Sequence, residues 1–195
     1  MIHPTAVIHE TAVIGDDNEI GPFCVIGPNV VIGHGNRFIA HVCIGTPGQH
    51  RNRRREMGVT IGNGNTFREF SQVHHGVEKA TLVGNDCYIM SGASVQHDCV
   101  IEDGVTLCSN VSLGGHVWVM RGANVGHNAC IHQFQRIGSY TMIGMGTVVP
   151  KYIGIEPGQV YVGNPARWLR ANDIGLDLAG ITDLSDEIRR WSHAA

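Results

Sequence analysis

Residues 95–118 read Val95-Gln96-His97-Asp98-Cys99-Val100, Ile101-Glu102-Asp103-Gly104-Val105-Thr106, Leu107-Cys108-Ser109-Asn110-Val111-Ser112 and Leu113-Gly114-Gly115-His116-Val117-Trp118. Each block of six opens on an aliphatic residue and carries a small or β-branched residue at its fifth position. An α-helix repeats its apolar positions every three and four residues, and no such pattern runs through this stretch. A period of six suits short strands joined by tight turns, three blocks closing one triangular coil of a parallel β-helix. Residues 18 apart in sequence then stack at the ~4.8 Å spacing of paired strands.

The period extends outward in both directions. It begins at Ile2, Ile8, Ile14 and Ile20, runs to Ile44, resumes at Ile61, Phe67 and Val73, and continues from Val83 to Val149, giving 23 hexads with an apolar leading residue. Cys24, Cys87 and Cys99 fall at fifth positions and read as small buried hydrophobes. Two interruptions stand out. Residues 50–60 insert a loop containing Arg51, Arg53, Arg54 and Arg55. Between Val73 and Val83 the spacing is ten, so four residues around Gly76–Ala80 loop out. Loops on a rigid solenoid are where sites tend to be carried. The reading places the β-helix at residues 1–150. Residues 151–195 follow as a turn and a short helical tail from Trp168 onward, packing over the open end.

Composition excludes several classes. The net charge of −3 gives no general argument for nucleic acid or an anionic membrane. No apolar run approaches the roughly 20 residues that span a bilayer. Met1-Ile2-His3-Pro4 does not look like a secretory leader. The six cysteines include no CxxC pair, so a reducing cytoplasm is the expected compartment.

The 12 histidines are the other informative count. With the loop after Val73 set aside, the hexads led by Val73, Val95, Leu113 and Ile131 share one column. Their next three residues form four rows: His74-His75-Gly76, Gln96-His97-Asp98, Gly114-Gly115-His116 and His132-Gln133-Phe134. Histidines tolerated as turn residues on a subunit interface are one reading. Proton transfer is the other, because imidazole titrates near neutrality. His97 lies beside Asp98, a carboxylate able to orient it. Gly115, one coil on, lets a carbonyl oxygen approach a backbone N–H. No Ser or Cys occupies a comparable place, which favours direct transfer over a covalent intermediate.

At these residues the chain resembles the UDP-N-acetylglucosamine O-acyltransferase family of lipid A biosynthesis. The segments that carry the resemblance are Val95-Gln96-His97-Asp98-Cys99, Leu113-Gly114-Gly115-His116-Val117 and Ile131-His132-Gln133-Phe134, within a similarity over roughly residues 2 to 176. The resemblance implies a left-handed coil and a cytoplasmic homotrimer with its site between adjacent subunits. It implies transfer of an acyl group, often 3-hydroxyacyl, to a nucleotide sugar. The donor is a thioester of acyl carrier protein or coenzyme A, with no further cofactor and no metal. It makes His97 the general base, Asp98 its orienting partner and Gly115 the oxyanion donor. His74 becomes a sugar contact, and His116, His132 and Gln133 contacts to donor and sugar.

The departures are also specific. A family Asp in the first insertion is matched best by His50. Ser94 replaces a family His. Asn172 matches a nucleotide contact, but Ile174 stands where the family has Glu. Met145 falls where members that accept long acyl chains have Gly, which predicts a short or medium chain. Arg51, Arg53 and Arg54 are candidates for phosphate binding or a solvated loop. A coenzyme A-dependent N-acyltransferase on an amino-sugar nucleotide, a gamma-class carbonic anhydrase and a non-catalytic scaffold are the rival readings.

Overall fold

The computed structural model describes residues 1–52 and 55–193. Short strands wind into a left-handed parallel β-helix of three flat sheets. One sheet has eight strands, from Val7–Ile8 to Val148–Val149. A second has seven, from Val13–Ile14 to Arg136–Ile137. The third has nine and runs from Glu19–Ile20 to an added strand, Arg167–Ala171. Ile2 joins through a single bridge to Ile20, so all 23 leading residues of the hexads take a ladder position.

The two apolar positions of each hexad explain the winding. Leading residues such as Ile44, Val95, Leu113 and Val149 point inward and are fully buried. Fifth-position residues such as Cys99, Val105 and Val111 fill the corners between them. Phe38 and Phe67 stack on the axis with ring centroids 4.9 Å apart. Burial pushes the Cys87 and Cys99 thiols up to about 12, which marks them as core atoms rather than nucleophiles. Polar atoms inside the wall are met by a ladder. Asn18 Oδ1 accepts from Asn36 Nδ2 at 3.0 Å, and Asn36 Oδ1 accepts from Asn65 Nδ2 at 2.9 Å.

The corners matter for function. Among the described residues the third position of a hexad, His75 apart, donates no backbone–backbone hydrogen bond to the neighbouring coil, which is why Pro4, Pro22 and Pro28 fit there. The fourth residue is left-handed, as at Asp86 (φ 53°) and Asn110 (φ 60°). Those residue types tolerate that conformation.

Four expectations are corrected. The hexad does not stop at Val149: Ile155 and Tyr161 continue it, both buried and paired in register with Ile137 and Ile143. Arg167–Ala171 is a strand, antiparallel to Gln159–Val162, because that strand ends the sheet with open hydrogen-bonding groups. The helical tail therefore starts at α1 (Asp173–Ala179), followed by α2 (Ser185–His193). Helix α2 lies along the side of the solenoid, not over its end. Its buried Glu187 accepts from Arg121, Ser139 and Arg190, and Arg190 also reaches Glu102 at 2.6 Å. The insertion is shorter at its C-terminal end than expected, since Val59 and Thr60 belong to the strand Val59–Ile61. No helix among the described residues is long and apolar enough to cross a membrane.

Candidate active site

The register places the strip as the hexad grid predicts. Val73 pairs with Val95, Val95 with Leu113, and Leu113 with Ile131. The corner after the eight-stranded sheet therefore carries His74, His97, Asp98, Gly115, His116, His132, Gln133 and Phe134 on successive coils.

His97 and Asp98 form the centre. His97 Nδ1 lies 2.7 Å from Asp98 Oδ2, with the imidazole nearly buried and the carboxylate fully so. An ionised carboxylate only accepts, so Nδ1 carries the hydrogen and Nε2 presents its lone pair. The other oxygen, Oδ1, accepts the backbone N–H groups of Val77, Glu78 and Lys79 at 3.1, 2.8 and 2.8 Å. The looped-out segment thus cradles Asp98 with three aligned donors, a nest for an anion. Thr81 Oγ1 accepts the Asp98 N–H at 3.0 Å. Asp98 is left-handed (φ 62°), and this turn directs its side chain back along the corner.

Gly115 faces the base. A Cβ at this position would stand 2.5 Å from His97 Cε1 and 2.7 Å from Nε2, so only glycine leaves room for the ring. Gly115 is also the third residue of its hexad, and among the described residues no acceptor takes its N–H. An unengaged N–H beside the lone pair of a base is the arrangement that acyl transfer requires.

Other residues close around this pair. His116 brings Nε2 to 3.4 Å from Asp98 Oδ2, sets its ring edge-on to His97 and stacks on Phe134 at 4.4 Å. His50 crosses from the insertion and meets the His97 ring edge-on at 5.4 Å. His74 is buried, its Nδ1 3.2 Å from the Pro47 carbonyl and 3.0 Å from Thr46 Oγ1. Gln49 Nε2 stands 3.4 Å from His74 Nε2. Burial pushes the His74 imidazole below its ordinary value, opposed in part by the Pro47 carbonyl. His132 is exposed, with Nδ1 donating to the Gln133 carbonyl at 2.9 Å.

Within one chain the remaining candidates are elsewhere. Met145, 74% exposed, sits on the corner after the nine-stranded sheet. Asn172 donates to the Tyr140 carbonyl at 2.8 Å, on the corner after the seven-stranded sheet. Arg51 is exposed. Arg53 and Arg54 lie outside the described residues. Sequence reasoning missed the Val77–Lys79 cradle, Gln49, Thr81 and the stacking role of Phe134. Only the ten-residue spacing before Val83 pointed toward any of them.

His97, Asp98 and His116 place one ligand atom each within 4.8 Å of one another, a donor set that a transition-metal ion could occupy. Asp98 Oδ2 is already committed to the His97 N–H in this arrangement.

The fold places the chain among the hexapeptide-repeat proteins, and residues 80–115 match the bacterial transferase hexapeptide (six repeats) family. An acyl-[acyl-carrier-protein]–UDP-N-acetylglucosamine O-acyltransferase of Gloeothece citriformis is 36% identical over 154 residues, 77% of this chain. The solved UDP-N-acetylglucosamine acyltransferase of Francisella novicida is 32% identical with a TM-score of 0.83, covering 97% of this chain and 76% of its own. That of Bacteroides fragilis is 31% identical with a TM-score of 0.82, covering 94% and 79%. The chain belongs to the UDP-N-acetylglucosamine O-acyltransferase family. It spans 55% of the length of the Gloeothece relative.

Proposed function

We propose that the chain moves an acyl group from the thioester of an acyl carrier protein or coenzyme A to a hydroxyl of a nucleotide-linked N-acetylglucosamine-type sugar. The observation that carries this reading is the His97–Asp98 pair with Nε2 against Gly115. His97 Nε2 takes the proton of the sugar hydroxyl as its oxygen attacks the thioester carbonyl. Asp98 holds the ring and stabilises the imidazolium. The Gly115 N–H receives the oxyanion. Collapse of the tetrahedral intermediate breaks the C–S bond, and the proton returns from His97 to the leaving thiolate.

His50 and His74 are the sugar-side contacts in this reading, and His116, His132 and Gln133 border the donor. An amine acceptor would suit the same base, but the names of the Gloeothece relative and of others like it specify O-acyl transfer, which favours a hydroxyl. Met145 and Asn172 lie on different corners from His97, so one chain cannot bring them to its own centre. A homotrimer, in which the corner of one subunit faces another, supplies what a single chain lacks. The six free cysteines support a cytoplasmic setting.

Mass spectrometry tests the reading. The chain is incubated with acyl-carrier-protein and acyl-coenzyme A donors and, separately, with UDP-N-acetylglucosamine and an amino-sugar nucleotide. An ester product from UDP-N-acetylglucosamine supports it. An amide product alone transfers the assignment to N-acylation.

A further inference from the structure

Asp98, His116 and Phe134 stand on three successive rungs of one corner. Each holds the fourth place of its hexad and each is left-handed, with φ of 62°, 61° and 64°. Elsewhere asparagine takes that place, as at Asn110 (φ 60°) and Asn128 (φ 58°), and asparagine tolerates the conformation. A bulky phenylalanine is a poor choice there on backbone grounds. Its ring is also 62% exposed, so burial does little to offset the strain. What the ring does have is a close stack. It lies on the His116 imidazole with centroids 4.4 Å apart and planes 11° from parallel. The Phe23–His41 and His41–Phe70 stacks on another corner are wider, at 5.0 Å. His116 in turn touches both members of the centre. Its Nε2 lies 3.4 Å from Asp98 Oδ2, the oxygen that orients His97, and its ring meets His97 edge-on at 5.2 Å. An ionised carboxylate only accepts, so Nε2 carries a hydrogen when it faces that oxygen.

We infer that Phe134 is a positioning residue for acyl transfer: its ring holds the His116 imidazole flat, and His116 holds Asp98 Oδ2 and the His97 ring in place. The inference rests on the acyl-transfer reading and adds to it a residue that acts on the base from two rungs away. Every link is a contact. With one face against Phe134, the His116 ring cannot turn its edge from Oδ2 without giving up the stack. Asp98 Oδ1 is already held by the Val77, Glu78 and Lys79 N–H groups. A His116 edge at Oδ2 therefore leaves the carboxylate one orientation, and His97 presents Nε2 toward Gly115 in one pose. A displacement near 1 Å costs about 10²-fold in rate, and loss of a supporting ring should move the base by less than that. The role belongs to the side chain alone. The Phe134 backbone N–H donates to the Gly115 carbonyl at 3.0 Å, a bond that any residue at this place could make.

The test removes the ring with a residue that the backbone prefers. Phe134→Asn suits the left-handed corner, so Tm should hold or rise, while kcat for ester formation should fall about tenfold. KM for the acyl donor and for the sugar should stay within about twofold. Phe134→Tyr keeps the stack and should recover most of the rate. Proton NMR of the whole chain reads the base without turnover. The His97 Nδ1 proton, in a 2.7 Å bond to a carboxylate, resonates far downfield, and its loss in His97→Ala assigns it. That signal should shift or broaden in Phe134→Asn and return in Phe134→Tyr. A double-mutant cycle tests the link through His116. In a His116→Ala background, Phe134→Asn should lower kcat by less than about twofold more. An unchanged kcat in Phe134→Asn overturns the inference. So does a loss confined to KM for the donor, which would make Phe134 a donor contact. So does a full further loss in His116→Ala, which would make its effect independent of that ring. If no donor is turned over, the acyl-transfer reading fails, while the NMR signal still decides whether Phe134 holds His97.

Discussion

His97 Nδ1 and Asp98 Oδ2 are 2.7 Å apart, and the opposite oxygen of the same carboxylate is held by three backbone N–H groups of the Val77–Lys79 loop. The carboxylate is therefore fixed from one side and orients the imidazole from the other. Asp98→Asn keeps one oxygen for the cradle but disrupts the acceptor that sets the His97 tautomer. Its kcat should fall about 10²-fold or more with little change in Tm. Asp98→Ala also strands three buried donors, each costing about 1–3 kcal/mol, so it should lower Tm clearly as well. Steady-state rates and thermal melts of the two variants make the comparison.

Gly115→Ala tests the close approach. The new methyl would overlap the His97 ring, and Gly115 has no positive φ, so the backbone itself accepts alanine. The ring must move, and a displacement near 1 Å costs about 10²-fold in rate. The expected result is a folded protein with kcat reduced by at least that factor. A fully active Gly115→Ala would remove the packing on which the oxyanion assignment depends.

The period of six made the strip of histidines legible, because it stacks the second, third and fourth residues of the hexads led by Val73, Val95, Leu113 and Ile131 on one corner. Asp98 and Gly115 were legible for the same reason. The cradle was not, since backbone N–H groups leave no mark on the residue types of Val77, Glu78 and Lys79. The last coil was masked because Lys151 and Tyr152 fill a corner usually given to Gly, Asn or Asp, and because Tyr161 replaces an aliphatic lead. Trp168–Leu169–Arg170 reads as amphipathic helix in isolation. An open sheet edge beside it made a strand the better use of its backbone.

Acid should weaken the fold through His74 and His75. Burial pushes both imidazoles below the ordinary 6.5. The unfolded chain then binds protons more readily than the folded one. The stability these groups contribute is complete above about pH 6.5 and is lost as pH falls through that value toward the folded pKa. His75 Nδ1 accepts the Gly58 N–H at 3.0 Å, a bond that a proton on Nδ1 would remove. Melting between about pH 7.5 and 5.5 should show Tm falling, with a shallower slope in His75→Gln. An unchanged slope in that variant would contradict the assignment.

Chain length is set at Met145 in this account. In the proposed homotrimer the exposed Met145 side chain would shorten a groove completed by a neighbouring subunit. Rates with C4, C10 and C14 donors should favour C4 or C10, and Met145→Gly should shift the preference toward C14. A C14 preference in the unaltered chain would refute this role.

The central claim is that His97 removes the acceptor proton. The most direct measurement is the rate of ester formation by His97→Ala under conditions where the unaltered chain turns over, with circular dichroism and sedimentation confirming fold and assembly. The account predicts a loss of about 10²–10⁴-fold in kcat in a protein that is otherwise intact. Undiminished turnover by His97→Ala would contradict it.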